Sequence, residues 1–176
     1  MIDQAERLRK LMAHRENASA QQRKRCICVI YPERQDCADN FADNFAKSLK
    51  GIGKKTCAAK NANQAAELKK ENDAVLFSLN CANEEIFGLC DEIIVVATND
   101  SADILSTYAM IKENAKYSKK MQIVLITSGK ESRAEKALTG FVKVLKSHTK
   151  KNIRPLGYIV DNEEIYYDFV LENLLN

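Results

Sequence analysis

The chain has 176 residues, 45% of them hydrophobic, with six cysteines, two histidines and a formal net charge of +3. That length supports one core of ordinary domain size without disulfides or a structural metal. The highly charged opening stretch is unlike a signal peptide and no run approaches the roughly 18–20 apolar residues of a membrane span, so a soluble protein of the cytoplasm is predicted.

Positive charge is uneven along the sequence. Residues 1–25 hold seven Lys/Arg against three Asp/Glu, a balance of +4, whereas the rest holds 20 basic and 21 acidic side chains, a balance of −1. Two segments follow from this: an arm over 1–25 and a domain over 26–176. Within the arm, Asp3 followed by Glu6 reads as a helix N-cap with its capping-box partner. Ala5, Leu8, Leu11 and Met12 then fall on one helical face, which predicts an amphipathic helix over 3–15. The polar run from Asn17 to Arg25 lacks apolar periodicity and predicts a linker.

From Cys26 onward, short apolar runs alternate with amphipathic segments. Strands are predicted over Cys26–Tyr31, Thr56–Ala59, Ala74–Leu79, Glu92–Ala97, Gln122–Ile126 and Leu156–Ile159. Helices are predicted near 36–50, 62–70, 83–88, 102–117, 131–148 and 163–174. Continuous apolar strands separated by helices imply a sheet covered on both faces with parallel pairing. The expected fold is therefore α/β: a doubly wound, mostly parallel sheet of about six strands, Rossmann-like and preceded by a short helix, with ligands expected at the carboxyl ends of the strands.

The cysteines, Cys26, Cys28, Cys37, Cys57, Cys81 and Cys90, include no C-x-x-C pair and lie far in sequence from His14 and His148, so no metal site is expected. Most read as small core residues. Cys37 and Cys81 both fall in strand-to-helix loops that could face each other.

In such a fold, phosphate chemistry belongs to the loop after the first strand, where backbone N–H groups and a helix start converge. Here that loop runs from Tyr31 to Asn40 and contains neither glycine nor lysine. Glu33, Asp36 and Asp39 would repel a phosphate. The following stretch, Asn40-Phe-Ala-Asp-Asn-Phe-Ala46 leading to Gly53-Lys-Lys55, resembles the N-L-A-x-N-L-A helix and Gly-Lys-Lys lead of the MinD/ParA ATPases. Cys90 to Lys112 is similar to that family's A-D-E-V-x-V-V-T-T-P-E stretch with its A-Y-x-x-I-K helix, and Leu156-Gly-Tyr-Ile-Val-Asp161 to its L-G-Y-I-P-x-D turn.

The resemblance spans nearly the whole chain and implies a P-loop-NTPase-type domain whose chemical positions have changed. Glu33 stands where the family carries its signature lysine, Ala38 where it carries the phosphate lysine, and Asp39 where it carries the magnesium-binding hydroxyl. Cys37 lies in the same loop. Ser78 replaces an aspartate near magnesium, Thr127 the asparagine that reads adenine, and the short span from Thr56 to Val75 leaves no room for the switch region. Phosphoryl transfer depends on positioning phosphate and metal, so the resemblance implies a pseudo-ATPase with no cofactor.

Asp3-Gln-Ala-Glu-Arg-Leu-Arg9 matches the D-Q-A-x-x-L-R element of the FlhG (YlxH) branch of this family. There the element is an activator helix that docks on FlhF, a GTPase of the signal-recognition-particle type, and stimulates GTP hydrolysis. The resemblance implies a partner-binding set of Asp3, Gln4, Ala5, Arg7, Leu8, Arg9 and Met12. Leu8, Ala5 and Met12 would supply apolar contact, Arg7 and Arg9 charge, and Gln4 the stimulatory group. The expectation is a monomeric, non-catalytic regulator of flagellar placement or number, recruited to the pole or flagellar base through partners. Basal-body proteins are further candidate partners.

Two other readings compete: a residual nucleotide-binding ATPase, and a DNA- or lipid-associated scaffold using the basic arm. Nucleic-acid binding is not expected, and neither is autonomous membrane binding: the last segment, 163–176, carries no Lys or Arg and its apolar residues suit packing on the sheet. Ser128-Gly-Lys130 reads as a turn opening a helix, and Glu163-Glu164 as a helix N-terminus. A phospho-receiver reading fails because Ser78 occupies the place of the required aspartate.

Overall fold

The computed structural model describes residues 24–32, 34–80, 88–114, 121–149, 153–161 and 163–175. The arm helix expected over 3–15, Cys81, and nearly all of the helix expected near 83–88 lie outside these residues.

Six strands form one sheet: β1 (Arg25–Ile30), β2 (Thr56–Ala59), β3 (Ala74–Leu79), β4 (Glu92–Thr98), β5 (Met121–Thr127) and β6 (Arg154–Val160). Their order is β2-β3-β1-β4-β5-β6, and every neighbouring pair is parallel. Parallel pairing requires crossovers. These involve α1 (Gln35–Gly51), α2 (Ala62–Leu68), α3 (Ser101–Glu113) and α4 (Glu131–Thr149), while α5 (Glu164–Leu175) ends the fold.

The two faces have separate cores. On one, α1 sets Ala38, Phe41, Ala42, Phe45, Ala46 and Leu49 in a single stripe against Ile27, Val29, Leu76 and Ile94, with α5 beside it. The stripe follows from apolar residues three and four apart along the helix. Phe41 stacks on Phe45 with ring centroids 5.6 Å apart and meets Tyr167 of α5 at 5.5 Å. On the other face, α2, α3 and α4 cover Cys28, Val75, Val95 and Ile123. Cys26, Cys28 and Cys90 are buried there, as expected of core cysteines, while Cys37 and Cys57 are half-buried. Contact with the Cys90 thiol, then burial, pushes the Cys26 thiol far up, so it stays protonated.

Element ends depart from the sequence pattern for local reasons. The sixth strand begins at Arg154, two residues before the apolar run, because Pro155 sits on the outer edge of the sheet, where a missing N–H is tolerated. Its pairing with β5 shifts register between Ile123 and Val124. Helix α3 stops at Glu113 rather than 117, and both the backbone N–H and the side-chain amide of Asn114 donate to the Met110 carbonyl. The apolar residues Tyr167, Val170, Leu171 and Leu174 of α5 pack on the sheet as its composition suggested.

Because α1 leaves β1 over one face and α3 leaves β4 over the other, the chain diverges between two adjacent strands. In doubly wound sheets this opens a crevice at the carboxyl ends, the usual ligand position.

Candidate functional site at the carboxyl ends of the strands

Only Tyr31 to Arg34 separate β1 from α1, a connection of four residues, with Glu33 outside the described set. Tyr31 prolongs the pairing of β1, donating its N–H to the Leu79 carbonyl at 3.0 Å. Arg34 then caps α1 with no side-chain cap bond. Ala38 lies in the second turn of α1 and is fully buried in the core below the crevice. The position compared with a phosphate lysine thus faces inward.

The Tyr31 side chain is 1% exposed and belongs to the core beneath α1. Its hydroxyl donates to Asp103 of α3 at 2.6 Å, and the Thr98 hydroxyl at the end of β4 donates to the same carboxylate oxygen. Burial, followed by the bond to Asp103, pushes the Tyr31 phenol up beyond its ordinary range. The Arg34 guanidinium lies 5.6 Å above the Tyr31 ring. Cys37 is held up by burial, with Arg34 opposing that shift, so its thiol is not poised as a thiolate.

A second cluster sits on the β3 side. Gln35 donates to Asp39 at 2.8 Å and to the Ser78 hydroxyl at 3.3 Å, and Ser78 donates to Asp39. The structure therefore brings Asp39 and Ser78 together. Neither Gln35 nor Asp103 was singled out from sequence, and no local motif marks them. Thr127 stands apart at the end of β5, two strands from β1, with its hydroxyl on the Ser128 carbonyl at 3.3 Å. Beside it Gly129, at φ 98°, makes the turn expected of Ser128-Gly-Lys130. Beyond, Tyr166 of α5 donates to Glu131 at the start of α4 at 2.8 Å, a bond that pushes its phenol up to about 12.

The crevice is thus stitched by carboxylates accepting from hydroxyl and amide groups. Asp36, Asp39, Asp100 and Asp103 all lie at or near the first turns of α1 and α3, and Asp100 caps α3 by accepting from Ala102 N at 2.8 Å. Among the described residues, no group of three His, Cys, Asp or Glu side chains could hold a metal ion.

The sequence matches no family model and no curated protein. Among solved structures, the cell-division protein MinD of Aquifex aeolicus superposes with a TM-score of 0.52 at 13% identity, over 84% of this chain and 86% of that one. The fold is MinD-like. The MinC:MinD cell-division complex of the same organism gives a TM-score of 0.50 at 13% identity, covering 84% and 85% of the two chains. An oxidoreductase from Corynebacterium diphtheriae also aligns, at 9% identity and a TM-score of 0.48, covering 86% of this chain and 94% of that chain. No described helix is long and apolar enough to cross a membrane.

Proposed function

We propose that this MinD-like domain is a non-hydrolysing, partner-binding protein that presents residues 3–15 to an FlhF-type GTPase and stimulates it. The observation that carries the first half is the way β1 gives onto α1. A glycine-free connection of four residues, a buried Tyr31 bonded to Asp103, and an inward-facing Ala38 occupy the region where a triphosphate loop would need open backbone N–H groups and a lysine. Carboxylates at the helix starts oppose a polyanion there. The second half rests on the D-Q-A-x-x-L-R element, which lies outside the described residues.

In this reading the domain is a scaffold. Its nucleotide crevice is closed by its own side chains, so partner engagement does not await ATP. The Aquifex MinD structure in complex with MinC shows a protein of this fold assembling with a partner, which makes a binding role reasonable to test here.

The test is turnover of a purified FlhF-type GTPase with and without the full chain. Stimulation is expected, together with its loss in Gln4→Ala. Unchanged turnover, or Gln4→Ala acting like the parent, would refute GTPase activation. Calorimetry with ATP and magnesium addresses the scaffold separately: no binding heat is expected, and measurable affinity would restore the nucleotide-binding reading.

A further inference from the structure

The near-zero balance of residues 26–176 conceals a sorting of charge. Lys24, Lys54 and Lys55 stand where β1 and β2 begin, and the exposed face of α4 carries Arg133, Lys136 and Lys143. Residues 155–175 hold five Asp or Glu and neither Lys nor Arg. The last strand and the last helix therefore form the acidic side of the domain.

This side also carries an aromatic edge. Strand β6 is outermost in the sheet and pairs only with β5. Its Tyr158 ring lies 6.0 Å from Tyr166 and 6.0 Å from Phe169 of α5. Phe169 approaches the strand closely because Gly157 has no side chain: a Cβ there would sit 3.4 Å from the Phe169 ring. Tyr166, Phe169 and Asn173 share one helical row, and the Asn173 amide donates to the Leu156 carbonyl at 2.8 Å, so this row borders β6. With Val170, Leu171 and Leu174 on the sheet, Asp168 and Glu172 form the next row outward. The three rings and both carboxylates are half-buried, beside a strand with no outer neighbour.

We infer that this edge seats the chain's own segment 3–15. Charge and shape both select it. The segment has Ala5, Leu8 and Met12 on one face, bordered by Arg9, and holds four Lys/Arg against two Asp/Glu. Aromatic side chains anchor interfaces, and an amphipathic helix lays its apolar face against them while charges at the rim fix its register. A helix over 3–15 is about 20 Å long, against about 18 Å for the 12 residues of α5. Reach also fits. Lys24 precedes β1, three strands or about 14 Å from β6, and the nine peptide links from Arg15 to Lys24 extend to about 30 Å. Leu105 and Val144 are exposed apolar side chains too, but they stand on α3 and α4, where Arg133, Lys136 and Lys143 repel such a segment.

Docking there covers Ala5, Leu8, Arg9 and Met12, the surface proposed to engage a GTPase, so the seat and the partner compete for it. That consequence rests on the GTPase reading, whereas the docking does not. The experiment is amide hydrogen exchange of the full chain, followed over residues 3–15 by mass spectrometry. Exchange there should be about tenfold slower or more than in a free peptide of residues 1–25, and independent of protein concentration. An exposed ion pair contributes roughly two- to fivefold and its reversal adds repulsion, so Asp168→Lys/Glu172→Lys should lower the protection about tenfold. Phe169→Ala should lower it through the apolar contact. The control, Glu67→Lys/Glu71→Lys, makes the same net-charge change on exposed residues in and just after α2 and should keep the protection. Unchanged thermal unfolding verifies that each variant folds, and the surface pair Asp168→Lys/Glu172→Lys decides the matter should Phe169→Ala fail to fold. Turnover of an FlhF-type GTPase is read separately, with half-stimulation expected at about tenfold less of the released variant than of the parent. Failure of the GTPase reading and failure of the docking are thereby told apart. Exchange as fast as in the peptide, protection that survives Asp168→Lys/Glu172→Lys, equal loss in the control, or protection that grows with concentration and so belongs to a second copy's arm would each overturn the inference.

Discussion

Replacing Tyr31 by phenylalanine isolates the bond that closes the crevice. The ring stays, so no cavity opens; what is lost is the hydroxyl 2.6 Å from Asp103. Hydrogen bonds to charged acceptors contribute about 1.5–3 kcal/mol. Asp103 is half-buried and keeps the Thr98 hydroxyl, so the lower end applies, about 1.5 kcal/mol. For a domain of this size that corresponds to a fall of about 3–6 °C in Tm. Urea unfolding should show a lower midpoint with an unchanged slope. A cycle with Asp103→Asn should return a coupling of about 1 kcal/mol, since the two residues touch. A midpoint change worth less than about 0.5 kcal/mol, the level of an ordinary surface substitution, would show that Tyr31 does not hold the crevice shut.

Three further outcomes are expected. Both Tyr31 and Tyr166 have phenols raised above the usual value in the folded protein, Tyr166 to about 12 through its bond to Glu131. Their contribution is complete below about pH 10, the unfolded value, and disappears as pH rises through the folded one. Stability measured by urea at successive pH values should therefore fall above about pH 10, less steeply in Tyr166→Phe; an unaltered slope would contradict this. Gly157→Ala should destabilise by about 2 kcal/mol or more, read as a lower denaturation midpoint, because the added Cβ would sit 2.9 Å from the Val170 side chain at φ 155°. Phe41→Ala, which empties the space between Phe45 and Tyr167, should cost about 3–5 kcal/mol by the same measurement.

The layers were legible because their signals are local. Five consecutive buried residues in β1 and again in β4 read as doubly covered strands, and β3 falls at the bounds expected from Ala74–Leu79. The α1 stripe repeats every three or four residues, as a helix packed on one side must. Pairings at long separation were not legible. Tyr31 and Asp103 are 72 residues apart, and Gln35 and Ser78 are 43 apart, so only strand order brings them together. The absence of a glycine-rich loop could be read directly, whereas what fills its place could not. Charge offers the same contrast: a balance of −1 over residues 26–176 says nothing of its sorting, because lysines dispersed over separate loops converge only when their strands lie parallel.

Charge is sorted at the carboxyl ends of the strands as well. A helix N-terminus directed at a crevice presents unpaired N–H groups and a partial positive charge, and in phosphate-binding folds the ligand completes both. Here acidic side chains answer the partial charge at both helix starts, and Asp100 supplies the cap bond of α3, while α1 has no side-chain cap bond. Asp36 lies in the first turn of α1 with Asp39 close behind, while Asp100 caps α3 and Asp103, one turn on, takes the Tyr31 hydroxyl. A triphosphate would have to displace these carboxylates and withstand their repulsion. The Tyr31–Asp103 bond ties α1 and α3 across the point where the chain diverges, so opening the crevice would break a bond that no incoming ligand charge replaces. A soaked pyrophosphate bound between Arg34 and Asp103, with the Tyr31 hydroxyl turned away, is the observation that this reasoning forbids.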